Sequence, residues 1–165
     1  MPVLSDFARK WKIEYFLKQI PKNSCILEIG SGSGWVSDYF AKNGYTNYKG
    51  IDIVPPADIV GDIRKWKDIG IKEESFDVII AFEVLEHVNC IKECWALIKP
   101  DGMLMVTTPV PHMDWLLVFF EFLGLNQKRT SPHNNLIYLK DVDFFRLKKN
   151  KNIMFLAQWG IFVKE

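Results

Sequence analysis

The sequence predicts an α/β domain in which a mostly parallel sheet is covered by helices on both faces. Three observations carry that prediction. Short segments apolar on both faces, above all Phe76-Asp-Val-Ile-Ile-Ala-Phe82, recur along the chain. Stretches of helical periodicity separate them. A glycine-rich turn joins the first such strand to the helix after it. Strands buried on both faces and alternating with helices are the pattern of parallel sheets.

Taken in order, residues 5–20 place Phe7, Trp11, Tyr15 and Ile20 on one helical stripe, widened by Ile13, Phe16 and Leu17, with Ser5 as N-cap and Pro21 as stop. Cys25 to Ile29 is the first strand. Trp35 to Lys42 is a helix closed by Asn43-Gly44. Tyr48 to Ile53 and Asp58 to Val60 are the second and third strands, and Phe76 to Phe82 is the fourth. Val88, Ile91, Trp95 and Ile98 mark a helix over 88–98. Pro100-Asp101-Gly102 turns into a fifth strand, Met103 to Thr107. Asp114 to Leu123 is read as a helix, and Asp143–Leu147 with Met154–Val163 as an antiparallel pair closing the sheet. The lysines of Lys148-Lys-Asn-Lys151 are read as a solvated turn.

The totals bound the function. The chain has 165 residues, the length of one domain, so 1–165 is read as a single unit: an N-terminal helix over 5–20, a core over 24–110, and a substrate-side helix with closing strands over 111–165. A hydrophobic content of 48% and a charged content of 25% are those of a globular protein. With 21 basic and 20 acidic residues, nothing in the charge invites a polyanion, and no nucleic-acid partner is expected. Cys25, Cys90 and Cys94 lack zinc spacing and read as reduced thiols, and no metal site is expected. The N-terminus shows no basic, apolar leader, and Trp115–Phe120 is too short to span a bilayer, so a cytoplasmic location is expected.

The chemistry concentrates in Ile26-Leu-Glu-Ile-Gly30-Ser-Gly32-Ser-Gly34-Trp35. A strand running into alternate glycines and then a helix lets a ligand lie against the main chain. The dinucleotide fingerprint needs glycine where Trp35 stands, and a phosphate-binding loop needs a Lys-Ser/Thr pair that is absent. Glu28 adds negative charge beside the loop, which suits a cationic or zwitterionic nucleoside better than a pyrophosphate. Asp52, 20 residues after Gly32 at the end of the second strand, can accept from both ribose hydroxyls. Asp62 at the end of the third strand can receive an adenine amino group, or else cap the helix that starts at Arg64.

These motifs, followed by Gly61-Asp62, Phe76-Asp-Val-Ile-Ile80, Glu83-Val-Leu-Glu-His-Val88 and Leu97-Ile-Lys-Pro-Asp-Gly102, recur in an order that resembles the class I S-adenosylmethionine methyltransferases. The likeness is strongest to the group containing the ubiquinone and menaquinone biosynthesis enzymes, and it covers residues 24–110. It implies a Rossmann-like, doubly wound seven-stranded sheet with a reversed C-terminal hairpin, and S-adenosyl-L-methionine as cofactor. By position it implies that Gly30, Ser31, Gly32 and Gly34 face the cofactor, Glu28 supports its methionine end and Asp52 holds the ribose. Asp62 and Ile63 would contact adenine, with Ile53, Val54 and Pro55 as wall candidates, and Phe82 would contribute at the end of the fourth strand. Only nine residues separate Asp52 from Asp62 and they include Pro55-Pro56, so the helix usual at that point is expected to be missing.

His87 is the first candidate for catalysis, with Glu86 to orient it and His112 as a further option. No Asn/Asp-Pro-Pro-aromatic loop follows the fourth strand and no Pro-Cys nucleophile is present, which favours O- or C-methylation of a small molecule. The apolar run 114–124 suits a lid over a lipophilic acceptor, a peripheral membrane contact, burial against the sheet, or a homodimer contact. The rival to an active enzyme is a cofactor-binding, catalytically silent subunit that works with a partner protein. A nicotinamide oxidoreductase is disfavoured by Trp35 and Glu28.

Overall fold

A computed structural model describes residues 3–113 and 135–164. Seven strands form one sheet: β1 (Ile26–Ile29), β2 (Tyr48–Asp52), β3 (Ile59–Val60), β4 (Phe76–Phe82), β5 (Ile98–Pro109), β6 (Phe145–Ile153) and β7 (Ala157–Lys164). Their order across the sheet is β3-β2-β1-β4-β5-β7-β6. β1, β2, β3, β4 and β5 run parallel, and β7 returns antiparallel to β5 and to β6. The expected α/β class, parallel core and reversed hairpin are all present.

The apolar strands bury both faces because each face has its own core. Leu27, Ile29, Ile79, Ala81, Leu104 and Val106 pack with Leu85, Cys94 and Leu97 on one side. Ile26, Val78, Ile80, Phe82 and Met105 pack with Phe16, Leu17, Val36, Phe40 and Trp159 on the other. Alternate residues of one strand thus point into different cores, as the two-residue period of a strand requires. Helices α1 (Val3–Tyr15) and α2 (Trp35–Lys42) lie on the Phe16 side, and α3 (Ile91–Leu97) on the other.

α2 spans its expected residues, with Asn43 at its C-cap and Gly44 at φ 76. α1 differs. It starts at Val3, so Ser5 lies inside the helix, and it ends at Tyr15; a 3₁₀ turn over Leu17–Gln19 carries the chain towards Pro21. α3 starts three residues later than the periodicity suggests. The Val84 carbonyl accepts from His87 N at 2.9 Å and Val88 N at 3.1 Å, closing a separate turn first. No helix links β2 to β3, as the Pro55-Pro56 spacing predicts.

β5 is longer than expected. Ile98 already pairs with Phe76, and Lys99–Gly102 form an irregular loop-out before Met103 resumes the ladder opposite Val78. The closing pair is also displaced. β6 runs from Phe145 to Ile153, so the lysine-rich stretch is an exposed edge strand rather than a turn, while Met154 and Phe155 occupy the turn. The three cysteines are free thiols, with Cys90 and Cys94 buried. No helix among the described residues is long and apolar enough to cross a membrane. The helix expected over 114–123, and the apolar run 114–124 with its lid, membrane and dimer readings, lie outside the described residues.

Candidate functional site

The carboxyl ends of β1, β2 and β4 lie side by side, and the crevice outside such ends is where parallel sheets carry ligand sites. Its floor is the loop from Gly30 to Gly34. Gly30 and Ser31 donate to the Ile51 carbonyl at 2.8 and 3.3 Å, tying the loop to β2. Gly30 stands at φ 74, and a Cβ there would come within 2.6 Å of Val84 Cγ2. Gly34, at φ 75, caps α2 without any side-chain hydrogen bond, and a Cβ on it would meet no atom within 4 Å. The open space over Gly34 is the kind of surface against which a ligand can lie directly on the main chain.

Asp52 closes the side of the loop. Its Oδ2 accepts from Gly32 N at 2.9 Å and its Oδ1 from Val54 N at 3.3 Å. A carboxylate offers about four lone-pair sites, so two remain for a diol. Asp52 is expected to hold a ribose, and these two acceptor positions are open to such a ligand. Beyond it Ile53, 74% exposed, and Val54 stand free on the same rim.

Other expected cofactor contacts are placed differently. Glu28 is buried and accepts a hydrogen bond from the Tyr48 hydroxyl. Burial, reinforced by Asp52, pushes its carboxyl up to about 8 despite Tyr48 and Lys12. Its charged form is therefore disfavoured in the fold, which weakens the expected repulsion of a pyrophosphate. Asp62 caps a 3₁₀ turn (Ile63–Lys65): Oδ1 accepts from Arg64 N at 2.9 Å, and the Arg64 guanidinium reaches Oδ2 at 2.6 Å. The capping role is realised, and the carboxylate is engaged. Ile63 is buried in the core, so only its backbone is free to meet a ligand. Ser31 is buried against Gly50. Phe82 stacks on Trp35 with ring centroids 6.2 Å apart, beneath α1, which lays Lys12 over the Phe82 ring at 5.2 Å and Arg9 over Trp35 at 5.7 Å.

Two carboxyls stand just after β4, where the acceptor end of the crevice is expected. Glu83 adopts a left-handed φ of 55, uncommon for a residue with a side chain and a mark of backbone held for a purpose. Its N–H donates to the Thr107 carbonyl at 2.8 Å. Its Oε1 accepts from Lys12 Nζ at 2.9 Å and Thr107 Oγ1 at 2.7 Å. Desolvation pushes the Glu83 carboxyl up, although its side chain keeps 43% of its surface. The Lys12 ammonium and the hydrogen bonds hold its carboxyl below the usual range. Glu86, only 1% exposed, accepts from Thr108 Oγ1 at 3.1 Å and shares a hydrogen bond with Glu83. Burial and the neighbouring Glu83 push it up to about 9. The two interacting acids are thus pushed in opposite directions, Glu83 towards its charged form and Glu86 towards its protonated one.

His87 follows, half-buried, with its N–H on the Val84 carbonyl. Asn135 bridges the same turn from across the chain, donating from N to the Glu86 carbonyl and from Nδ2 to the Leu85 carbonyl, at 2.9 and 2.8 Å. Buried Gln158 continues the wall: Nε2 donates to the Pro109 and Ile137 carbonyls, and Oε1 accepts from Leu139 N. His112 pairs through Nδ1 with the Tyr138 hydroxyl at 3.1 Å in an exposed position past β5. Among the described residues no three His, Cys, Asp or Glu side chains gather as a metal site. Sequence reasoning assigned roles to Glu86 and His87 but none to Glu83, Lys12, Thr107 or Asn135. The available signal was a lone lysine inside the apolar stripe of the first helix and two threonines ending an apolar strand.

The sequence model described as a methyltransferase domain matches residues 6–148. The chain belongs to the methyltransferase domain family. Ubiquinone biosynthesis O-methyltransferase from Neisseria meningitidis serogroup A is 30% identical over 102 residues, covering 50% of this chain and 43% of that protein. The protein so named in Actinobacillus pleuropneumoniae serotype 7 is 34% identical over 105 residues, covering 50% and 44%. The matches thus span less than half the length of these curated relatives. The crystal structure of a SAM-dependent methyltransferase from Archaeoglobus fulgidus superposes with a TM-score of 0.67 at 13% identity, covering 96% of this chain and 94% of that one, and shares its fold. S-adenosylmethionine is the cofactor that this family and fold imply. The open glycine loop and the two spare acceptor sites of Asp52 fit it.

Proposed function

We propose that this methyltransferase domain methylates a hydroxyl group of a small, lipophilic acceptor. The observation that carries the proposal is the Glu83–Glu86 pair at the carboxyl end of β4, with Glu83 exposed and held by Lys12 and Thr107 and Glu86 buried beside it. Two curated relatives named as O-methyltransferases support the same class of acceptor.

In this reading Asp52 accepts from the ribose hydroxyls and the Gly30–Gly34 backbone carries the cofactor, with Ile53 and Val54 beside the adenine. Glu28, fixed by Tyr48 and with its charged form disfavoured by burial, shapes the methionine end. When bound, S-adenosylmethionine supplies an electrophilic methyl group. The chain's own residues have two tasks: to align an acceptor oxygen, and to receive its proton. Glu83 takes the proton, Glu86 and Lys12 set its charge, and Thr107 fixes its direction. His87 lines the same turn as a second polar contact, and His112 lies at the rim.

The test is turnover of phenols, quinol precursors and sugars by the wild type and by Glu83→Gln. The variant is expected to lose about 10²-fold or more in kcat, the usual worth of a general base. Its calorimetric affinity for S-adenosylhomocysteine should stay unchanged, whereas Asp52→Ala should lose that affinity. Unaltered kcat in Glu83→Gln would remove the base assignment. Tight cofactor binding without turnover of any acceptor would favour the silent-subunit reading.

A further inference from the structure

The β6–β7 hairpin breaks two local rules at one place. Its turn has Met154 at φ 48 and Phe155 at φ 60, with Leu156 N donating to the Ile153 carbonyl at 2.9 Å. Positive φ at both central positions is the signature of a type I′ turn, which strongly prefers Asn-Gly because other side chains are strained there. Met154 is nevertheless 72% exposed and Phe155 80% exposed. Two large apolar side chains are thus held exposed on strained backbone.

The strand leading into that turn is basic. Arg146, Lys148, Lys149 and Lys151 lie within six consecutive residues of β6 without an acid among them, in a chain whose net charge is only +1. A register shift between Leu147 and Lys149 interrupts the alternation. Lys149, opposite Ile161, and Lys151, opposite Trp159, then project on the sheet face that carries α1, where Lys151 stands over the Trp11 and Tyr15 rings. β6 is the last strand of the sheet, so this strip is an outer edge. The tip lies at the same end of the sheet as the crevice, because Ala157 pairs with Pro109 and Val110 N donates to the Leu156 carbonyl at 2.9 Å.

From this juxtaposition we infer that the β6 edge and its Met154–Phe155 tip form a docking surface for an anionic phospholipid bilayer. Lysines meet the headgroups and the two apolar side chains enter the acyl boundary. The charge fits an acidic lipid face. An unbranched Met beside Phe fits an apolar phase better than a stack of bases. Docking this edge holds the mouth of the crevice close to the phase in which a lipophilic acceptor dissolves.

The test is co-sedimentation of the whole chain with vesicles of equimolar phosphatidylglycerol and phosphatidylcholine, and with phosphatidylcholine vesicles alone. Wild type is expected to bind the acidic vesicles and not the neutral ones. Lys148→Gln, Lys149→Gln and Lys151→Gln together should weaken binding roughly a hundredfold, about fivefold for each charge. The decisive variant is Met154→Asn with Phe155→Gly. It supplies the residues the turn prefers, so its Tm should rise, while vesicle binding should fall at least about tenfold. A structural role for the pair predicts a lower Tm and unchanged binding, and that result would overturn the inference. So would binding of acidic vesicles by no form of the chain. Lysine-dependent binding of a single-stranded oligonucleotide by a chain that ignores vesicles would assign the surface to nucleic acid instead.

Discussion

Replacing Glu28 by Gln should stabilise the protein at neutral pH, although it removes a buried hydrogen-bonded acid. In the folded state burial keeps the carboxyl protonated to about 8, against an ordinary value of 4.5. Between those two values the unfolded chain releases a proton that the folded chain retains. The unfolded state therefore binds fewer protons, and stability falls as pH rises through that window, by ~1.4 kcal/mol per unit. At about pH 7 the accumulated cost, 2.5 units above the ordinary value, is on the order of 3 kcal/mol. Below about pH 4 both states are protonated and the cost vanishes. Gln keeps an oxygen to accept from Tyr48 and has no proton to lose. The assay is urea unfolding of wild type and Glu28→Gln at intervals from acid pH to above the folded value. The difference between the two curves should grow steadily up to about 8 and then level off. Glu86 titrates in both proteins and cancels from the difference. Parallel curves, with the variant less stable at every pH, would refute the reasoning, because they would mean that Glu28 is ionised in the fold and worth keeping so.

Three further outcomes follow from the same contacts. Lys12→Met removes the ammonium 2.9 Å from Glu83, so the Glu83 carboxyl should rise and the acid limb of the pH–rate profile should move to higher pH. Gly30→Ala should cost about 2 kcal/mol or more in denaturant unfolding, because its Cβ would stand 2.6 Å from Val84 Cγ2 on backbone at φ 74. Asp62→Ala should cost about 1 kcal/mol of stability through the lost cap on the 3₁₀ turn. Because Asp62 is engaged by Arg64, that variant should change calorimetric affinity for S-adenosylhomocysteine far less than Asp52→Ala does.

The glycine loop was legible because backbone builds it. Gly30, Gly32 and Gly34 announce positive φ by their identity, and Asp52 ends a strand at the open end of the parallel sheet. Asp62 shows the limit of that logic. A carboxylate at a strand end reads the same whether it faces a ligand or caps the next turn, and Arg64 two residues on decides it. Glu28 was less legible, since no sequence pattern reports that Tyr48 bonds it or that burial pushes its carboxyl up to about 8. The acceptor end was less legible because its contacts join distant segments. Lys12 meets Glu83 across 71 positions, and Asn135 reaches Leu85 across 50. Boundaries moved where irregular backbone intervened, at the Val84 turn before α3, the Lys99–Gly102 loop-out and the Met154–Phe155 turn.

The two ends of the crevice are joined through α1. Lys12 lies over Phe82, whose ring stacks on Trp35 at the first turn of α2, and the same ammonium sets the charge of Glu83. Trp35 directly follows the glycine loop, so a displacement of the loop by cofactor bears on Phe82 and through it on Lys12. Any loosening of the Lys12–Glu83 pair lets the Glu83 carboxyl rise and share its proton with Glu86 more evenly. Such a displacement would couple the proton affinity of the carboxyl pair to occupancy of the glycine loop, with Lys12 as the link. By reciprocity, protonating the carboxyl pair must change cofactor affinity by the same factor. Calorimetric affinity for S-adenosylhomocysteine should accordingly vary with pH in the wild type and lose most of that variation in Lys12→Met. A pH dependence that survives in the variant would place the coupling in Glu28 instead, which titrates beside Asp52.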